Sequence, residues 1–167
     1  YLLKKSWPEY IKQWKHDNKV MLEESGICPN LSETHQFVSG VFLSLQQARH
    51  TVPLLQSVFQ ADAAHMNFGK YTLYSCYGNS ANGNTFPVAL AIIFGNEDKE
   101  GWTRFWKFLL RIHPTIQDPK NTFITDQQKG SIPALADVLP AVVNFFVPFT
   151  EGRTLRNLSR LVLASTL

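Results

Sequence analysis

The sequence predicts an α/β fold built on a five-stranded mixed sheet of strand order 3-2-1-4-5, with strand 2 antiparallel. Three observations lead there. The apolar period changes from helical to strand-like at Leu54. Three strand-like runs then follow one another through tight turns, which makes an antiparallel meander. After the meander, strands alternate with amphipathic helices, and that alternation requires crossovers and parallel pairing.

Residues 1–52 read as an N-terminal helical segment. Over Tyr1 to Ser25, Ser6 and Pro8 suit a cap and first turn. Tyr10, Ile11, Trp14, Met21 and Leu22 supply an apolar side, with Lys12, Lys15, His16 and Lys19 mostly opposite. Those lysines are either a phosphate-facing surface or a solvated helix face, and the second reading needs fewer assumptions. Gly26 closes this helix. Leu31 to His50 reads as a second helix, with Phe37, Val41, Leu45 and Ala48 at helical spacing. His35 and His50 have no cysteine partners at zinc spacing.

Residues 53–149 form the core. Pro53 breaks the helix. Leu54 to Ala61 is the first strand, and Asp62 to Asn67 leaves it. Tyr71 to Tyr77 is the second, rich in Tyr, Thr and Leu. Asn82-Gly83 is a hairpin signal. Phe86 to Phe94 is the third strand, apolar throughout. Gly95-Asn96-Glu97-Asp98 opens a helix whose Trp102, Phe105, Trp106, Leu109 and Leu110 fall at i, i+3, i+4, i+7 and i+8. Arg104, Lys107 and Arg111 take its other side, and Pro114 stops it. Asn121 to Thr125 is the fourth strand, ending in Asp126. Ser131 to Leu139 is a helix with Pro133 near its first turn, and Ala141 to Phe149 is the fifth strand. Residues 150–167 form a tail in which Leu155, Leu158, Leu161 and Val162 alternate with Arg153, Arg156 and Arg160 in a helical pattern.

Composition narrows the classes. The chain has 167 residues, 44% of them hydrophobic, ample for a packed core. Charged residues are only 17%, against about 25% in typical domains, which predicts exposed apolar surface or a flanking segment that covers it. The net charge of +3 is compatible with nucleic acid without arguing for it. Cys28 and Cys76 cannot make a disulfide framework, which fits a reducing, nuclear or cytoplasmic location. No apolar run reaches the roughly 18 residues that span a membrane, and no signal peptide is visible.

The predicted order has a chemical consequence. A crossover from the meander lays the fourth strand on the free edge of the first, parallel to it. Asp62, read alone as a turn residue, and Asp126 then face one small volume. Two carboxylates so close repel unless a cation lies between them. An all-oxygen pair suits Mg²⁺ or Mn²⁺.

Asp62-Ala63-Ala64-His65, Asn82-Gly83-Asn84, Phe86-Pro87-Val88-Ala89-Leu90-Ala91-Ile92, Trp102 with Phe105, and Thr125-Asp126-Gln127-Gln128-Lys129-Gly130 occur in that order. Together they resemble the catalytic domain of Mutator-like element (MULE) DNA transposases, which has a ribonuclease H-like fold. The resemblance covers roughly residues 42 to 149. It implies Mg²⁺-dependent DNA cleavage and strand transfer at a two-metal site, with Asp62 and Asp126 as catalytic and metal-binding acids. It implies substrate contacts at His65 and Lys129, although His65 is equally readable as structural. DNA is the implied partner; a protein partner and a homodimer stay open. Two features of the family's pattern have no counterpart. Val147-Pro148-Phe149-Thr150 stands where the family has Cys-x-x-His, and no family-like third acid follows; Glu151 is the only acid after Asp137. The alternative to an enzyme is therefore a catalytically inactive, transposase-derived module that binds protein or nucleic acid.

Overall fold

The computed structural model describes residues 20–24, 39–67, 70–126 and 130–147. They form a mixed α/β structure on an open sheet. The strands are β1 (Val20–Glu24), β2 (Gly40–Leu45), β3 (Val58–His65), β4 (Tyr71–Asn79), β5 (Thr85–Phe94), β6 (Thr122–Asp126) and β7 (Val143–Val147). The α-helices are α1 (Ala48–Thr51), α2 (Lys99–Ile112) and α3 (Ser131–Val138), with 3₁₀ turns at Val52–Leu54 and Pro114–Gln117.

The sheet order is β1-β2-β5-β4-β3-β6-β7. Its last five strands follow the expected order. β3, β4 and β5 form the antiparallel meander, while β6 joins β3 and β7 joins β6 in parallel. The Asn82-Gly83 signal is also realised. Gly83 has a φ of 77° and donates its N–H to the Ser80 carbonyl at 2.8 Å, closing the turn between β4 and β5.

The N-terminal reading is corrected. Val20–Glu24 and Gly40–Leu45 are strands, paired antiparallel with each other, and β2 pairs onto β5. The sheet therefore has seven strands rather than five. The misreading has a simple cause. Val41 and Leu45 are four residues apart, a spacing that shares one face in a helix and equally in a strand. In β2 the buried residues are Gly40, Phe42 and Ser44, an alternation of two. Among the described residues of the expected second helix, Gly40–Leu45 is strand and helix begins only at Ala48. Residues 1–19, 25–38 and 148–167, including the rest of the expected first helix, the start of the second and the tail, lie outside the described residues.

α2 is the helix that the sequence announces. Asp98 caps it, its side chain accepting the Gly101 N–H at 2.9 Å. Trp102, Phe105, Trp106, Phe108, Leu109 and Ile112 are buried along one face. Trp106 meets Phe123 of β6 edge-on with ring centroids 5.2 Å apart, and Phe123 stacks on Phe59 of β3 at 5.4 Å. Trp102 meets Tyr74 of β4 at 5.0 Å. This aromatic layer holds α2 across β4, β3 and β6. The other face of the sheet carries Leu45, Ile92, Phe94, Val143 and Phe145 exposed.

A buried polar network ties the end of α2 to the sheet. Ser44 Oγ donates to the Val88 carbonyl at 2.8 Å. With its one proton so used, Ser44 accepts the Nε2–H of His113 at 2.9 Å. Burial pushes His113 down to about 4, with the nearby Arg49 charge adding to the effect. An imidazole in the unfolded chain protonates near 6.5. Between those values the unfolded chain binds a proton that the native chain refuses. Stability present above pH 6.5 is therefore lost as pH falls toward 4, by on the order of 2–3 kcal/mol. Urea midpoints measured from pH 7.5 to 4 check this. The fall should flatten in His113→Gln, and an equal fall in both proteins would assign it to other groups.

Candidate acidic site

The pairing of β3 with β6 sets the site. Val58 stands opposite Thr122 and Gln60 opposite Ile124, a constant offset of 64 residues. The same offset brings Asp62 level with Asp126, two residues past the last paired position. Asp126 itself is held in the ladder to β7, opposite Val147. Asp62 does not end its strand, as the sequence suggested. β3 continues to His65 because β4 keeps pairing with it, Asp62 opposite Ser75 and His65 opposite Thr72. Asp62 therefore sits where the parallel ladder ends and the antiparallel one goes on.

Both acids lie on the sheet face opposite α2. In β3 the buried residues are Phe59 and Ala61, and in β6 they are Phe123 and Thr125, so Asp62 and Asp126 alternate outward. Asp62 is exposed, with Oδ1 accepting the Ala63 N–H at 2.8 Å. Its carboxyl is held above the usual range, first by desolvation and then by the negative charge of Asp126, against the Ala63 hydrogen bond.

A third carboxylate joins them. Glu97, in the turn between β5 and α2, is partly buried, and its Oε1 accepts the Trp102 Nε1–H at 3.1 Å. Its acidity is also weakened. Desolvation is the main cause, and the charges of Asp126 and Asp62 add to it, while the Trp102 hydrogen bond and the charge of His65 oppose it. Glu97 was legible in principle. β5 runs parallel to β3 because each is antiparallel to β4, so its C-terminal end reaches the edge that carries Asp62 and Asp126. An acid three residues after Phe94 has to arrive there.

By the same alternation His65 falls on the α2 side of β3, where its charge reaches Glu97. Its Nδ1 lies 3.4 Å from Thr72 Oγ1, whose proton goes to the Gly95 carbonyl at 2.9 Å. Thr72 is buried and orients the exposed imidazole from below. Lys129 lies outside the described residues. Among the described residues, no three His, Cys, Asp or Glu side chains stand close enough to hold one ion between them. The acids form an open arc rather than a closed cage.

Gly130 fixes the arc from behind. A Cβ there would run into the backbone of Asp98 and Lys99, so the start of α3 rests directly on the start of α2. Its φ of −95° is ordinary, and close approach alone explains the glycine. The starts of α2 and α3 are thereby joined through backbone.

Comparison with known proteins returns no matching family model and no significantly similar curated protein. Among the described residues, no helix is long and apolar enough to cross a membrane.

Two predictions follow from the electrostatics and the packing. A raised carboxyl favours the protonated native state, so its contribution to stability is present at low pH and lost as pH rises through its native pKa. Asp62→Asn, which keeps the Oδ1 acceptor, should raise the thermal midpoint at pH 7 and leave it unchanged near pH 3. A lower midpoint at pH 7 would mean that the Asp126 repulsion is already neutralised. Gly130→Ala should cost about 1–3 kcal/mol in urea unfolding, as overpacking against backbone does.

Proposed function

We propose that this chain is a MULE transposase-derived domain of ribonuclease H-like fold that acts on the phosphodiester backbone of DNA with Mg²⁺ or Mn²⁺. The observation that carries this reading is the arrival of Asp62, Asp126 and Glu97 at one sheet edge from three separate elements. The motif series around Asp62, Asn82-Gly83, Trp102 and Asp126-to-Gly130 supports it from the sequence side. So does the strand order β5-β4-β3-β6-β7.

The donor chemistry fits a hard divalent cation, because every donor is a carboxylate oxygen. The openness of the arc fits Mg²⁺ in particular, which keeps several waters and binds through one or two carboxylates together with substrate phosphate. Asp62 and Asp126 would hold the ion, with the Glu97 charge close enough to be felt by both. Bound metal supplies charge stabilisation for the attacking and leaving oxygens of phosphoryl transfer. The protein's own part is positional. The β3–β6 register sets the separation of Asp62 and Asp126, and Trp102 restrains the Glu97 carboxylate. His65, braced by Thr72, offers a ring nitrogen to a phosphate oxygen at the mouth of the site, and Lys129 follows Asp126 as a cationic contact.

The second reading is an inactive module that binds DNA or a protein without cutting. The absence of a three-ligand group at metal-holding distances among the described residues favours it. Calorimetry with Mn²⁺ and a nicking assay on supercoiled DNA separate the two. The enzyme reading expects metal heat in the wild type, weakened about tenfold or more in Asp62→Ala, Asp126→Ala and Glu97→Ala, and nicking lost in all three. Metal heat that is the same in wild type and Asp62→Ala, or nicking that survives Asp126→Ala, would refute it. Duplex binding without metal heat would establish the module.

A further inference from the structure

We propose that β7 is an edge built for a second copy of this chain, pairing antiparallel with the β7 of that copy about a twofold axis at Asn144. β7 ends the sheet, and among the described residues no strand lies on its far side. Its main chain is divided between the two sides. The Val143 N–H goes to the Asn121 carbonyl at 3.1 Å, so Val143 and Phe145 turn their backbone groups to β6. Asn144 and Phe146 turn theirs to the open edge, together with the Val142 carbonyl. Folded proteins guard such an edge with charge, proline or a bulge. The strand at the other end of the sheet, β1, carries Glu23 and Glu24. β7 carries nothing of the kind. It reads Val-Asn-Phe-Phe-Val, and no charged residue occurs from Val138 to Thr150.

The strand is complementary to itself in this register. At the axis the two Asn144 residues exchange N–H and C=O bonds, as an antiparallel hydrogen-bonded pair does. Each Phe146 N–H meets the Val142 carbonyl of the other copy, while the Val142 N–H is already held by the Leu139 carbonyl. Pro140 and Pro148, equally far from Asn144 in sequence, then face one another and bound the ladder, as residues that cannot donate. On the outer face, Val143 of each copy stands opposite Phe145 of the other. These are 45% and 61% exposed in the single chain, and aromatic with β-branched is a favourable cross-strand pair. On the inner face a groove of about 300 Å³ runs between α3 and β7, lined by Leu135, Leu139, Val142 and Asn144 among others. Asn144 Oδ1 is buried with no hydrogen-bond partner. The facing Asn144 brings a side-chain N–H on the same face, with Cα atoms about 5.5 Å apart, and the soft χ2 torsion lets the amide turn to it. An open backbone edge, exposed apolar side chains and an orphaned acceptor thus meet on one strand, and one partner strand answers all three. The axis stands perpendicular to the sheet, so the outer faces of the two copies are continuous. Asp126, level with Val147, then shares that face with its counterpart about 25 Å away. One strand is a small interface, below the roughly 1,200 Å² at the low end of stable complexes, so the pairing is concentration-dependent.

The test uses the full chain carrying Cys28→Ser, which leaves the buried Cys76 as its remaining native thiol. Sedimentation velocity from about 1 to about 500 µM should show monomer passing to dimer, and Phe145→Lys, at an exposed position, should move that midpoint up about tenfold or more. An equimolar mixture of Val143→Cys and Phe145→Cys chains in oxidised glutathione should form the mixed disulfide about fivefold or more faster than either chain links to itself, because only the mixed pair stands directly opposite. A chain that stays monomeric throughout overturns the proposal. So does a dimer that Phe145→Lys leaves unchanged, or a Phe145→Cys chain that links to itself as fast as to Val143→Cys. Masses that grow beyond the dimer would mean edges that add without closing, and overturn it as well. Hydrogen exchange tests the remaining occupant. The Asn144 and Phe146 amides should gain protection as concentration rises, whereas equal protection in the monomer would give the edge to another segment of this chain and overturn the pairing. If Phe145→Lys loses its cooperative thermal transition, the disulfide mixture and the exchange data decide.

Discussion

Phe123 sits between Phe59 and Trp106, and the placement of the other core elements follows from that contact. Phe59 belongs to β3, Phe123 to β6 and Trp106 to α2, so one stack of rings joins the first strand of the meander, the first crossover strand and the crossover helix. The stack extends along α2, where Trp106 lies on Trp102 at 5.3 Å and Trp102 meets Tyr74 of β4. Aromatic pairs of this kind add about 0.5–1.5 kcal/mol each beyond the area that they bury. Their larger effect is geometric. A slip of β6 by one residue would send Phe123 to the outer face and Asp126 to the inner one. The hydrophobic demand for Phe123 inside is therefore also what keeps Asp126 level with Asp62. Trp102 links the two roles in one side chain, with its ring in the core and its N–H on Glu97.

The sheet edge works against the stability that this core provides. Asp62 and Glu97 are both held above the ordinary carboxylate range, and each feels the charge of Asp126. Desolvation is the larger cause in both, and backbone contact between Gly130 and the start of α2 keeps the Glu97 turn packed. A protein can keep such a cluster only where the surrounding packing over-determines it. Functional sites are the places where that trade is made.

Much of this was legible in the residues. The meander, the two crossovers and the order of five strands came from turn chemistry and from the switch between periods of 2 and 3.6. The pairing of Asp62 with Asp126 came from topology. What escaped has identifiable causes. Val41 and Leu45 share a face in either a strand or a helix, and only the burial of Phe42 and Ser44 between them separates the cases. Asp62 was read as the end of a strand because a carboxylate there ends an apolar run, whereas backbone pairing to β4 extends the strand regardless of side chain. Glu97 looked like part of a helix opening, since acidic residues favour first turns for local reasons. Its role depends on where β5 ends in space, which the same topological argument supplies once the directions of three strands are compared.

The offset of 64 residues between β3 and β6 also orders the assembly of the molecule in time. Turns of a few residues close β3 onto β4 and β4 onto β5, so those hairpins form from local contacts. The β3–β6 ladder closes a far longer loop, and the entropy of that closure places it late. When it closes, Asp126 is driven toward Asp62 and Glu97. That ladder is thus completed against the repulsion of these acids. Cations in the surrounding solution screen that repulsion. The ionic composition in which the chain folds therefore bears on how fast the sheet is completed, before any question of catalysis arises.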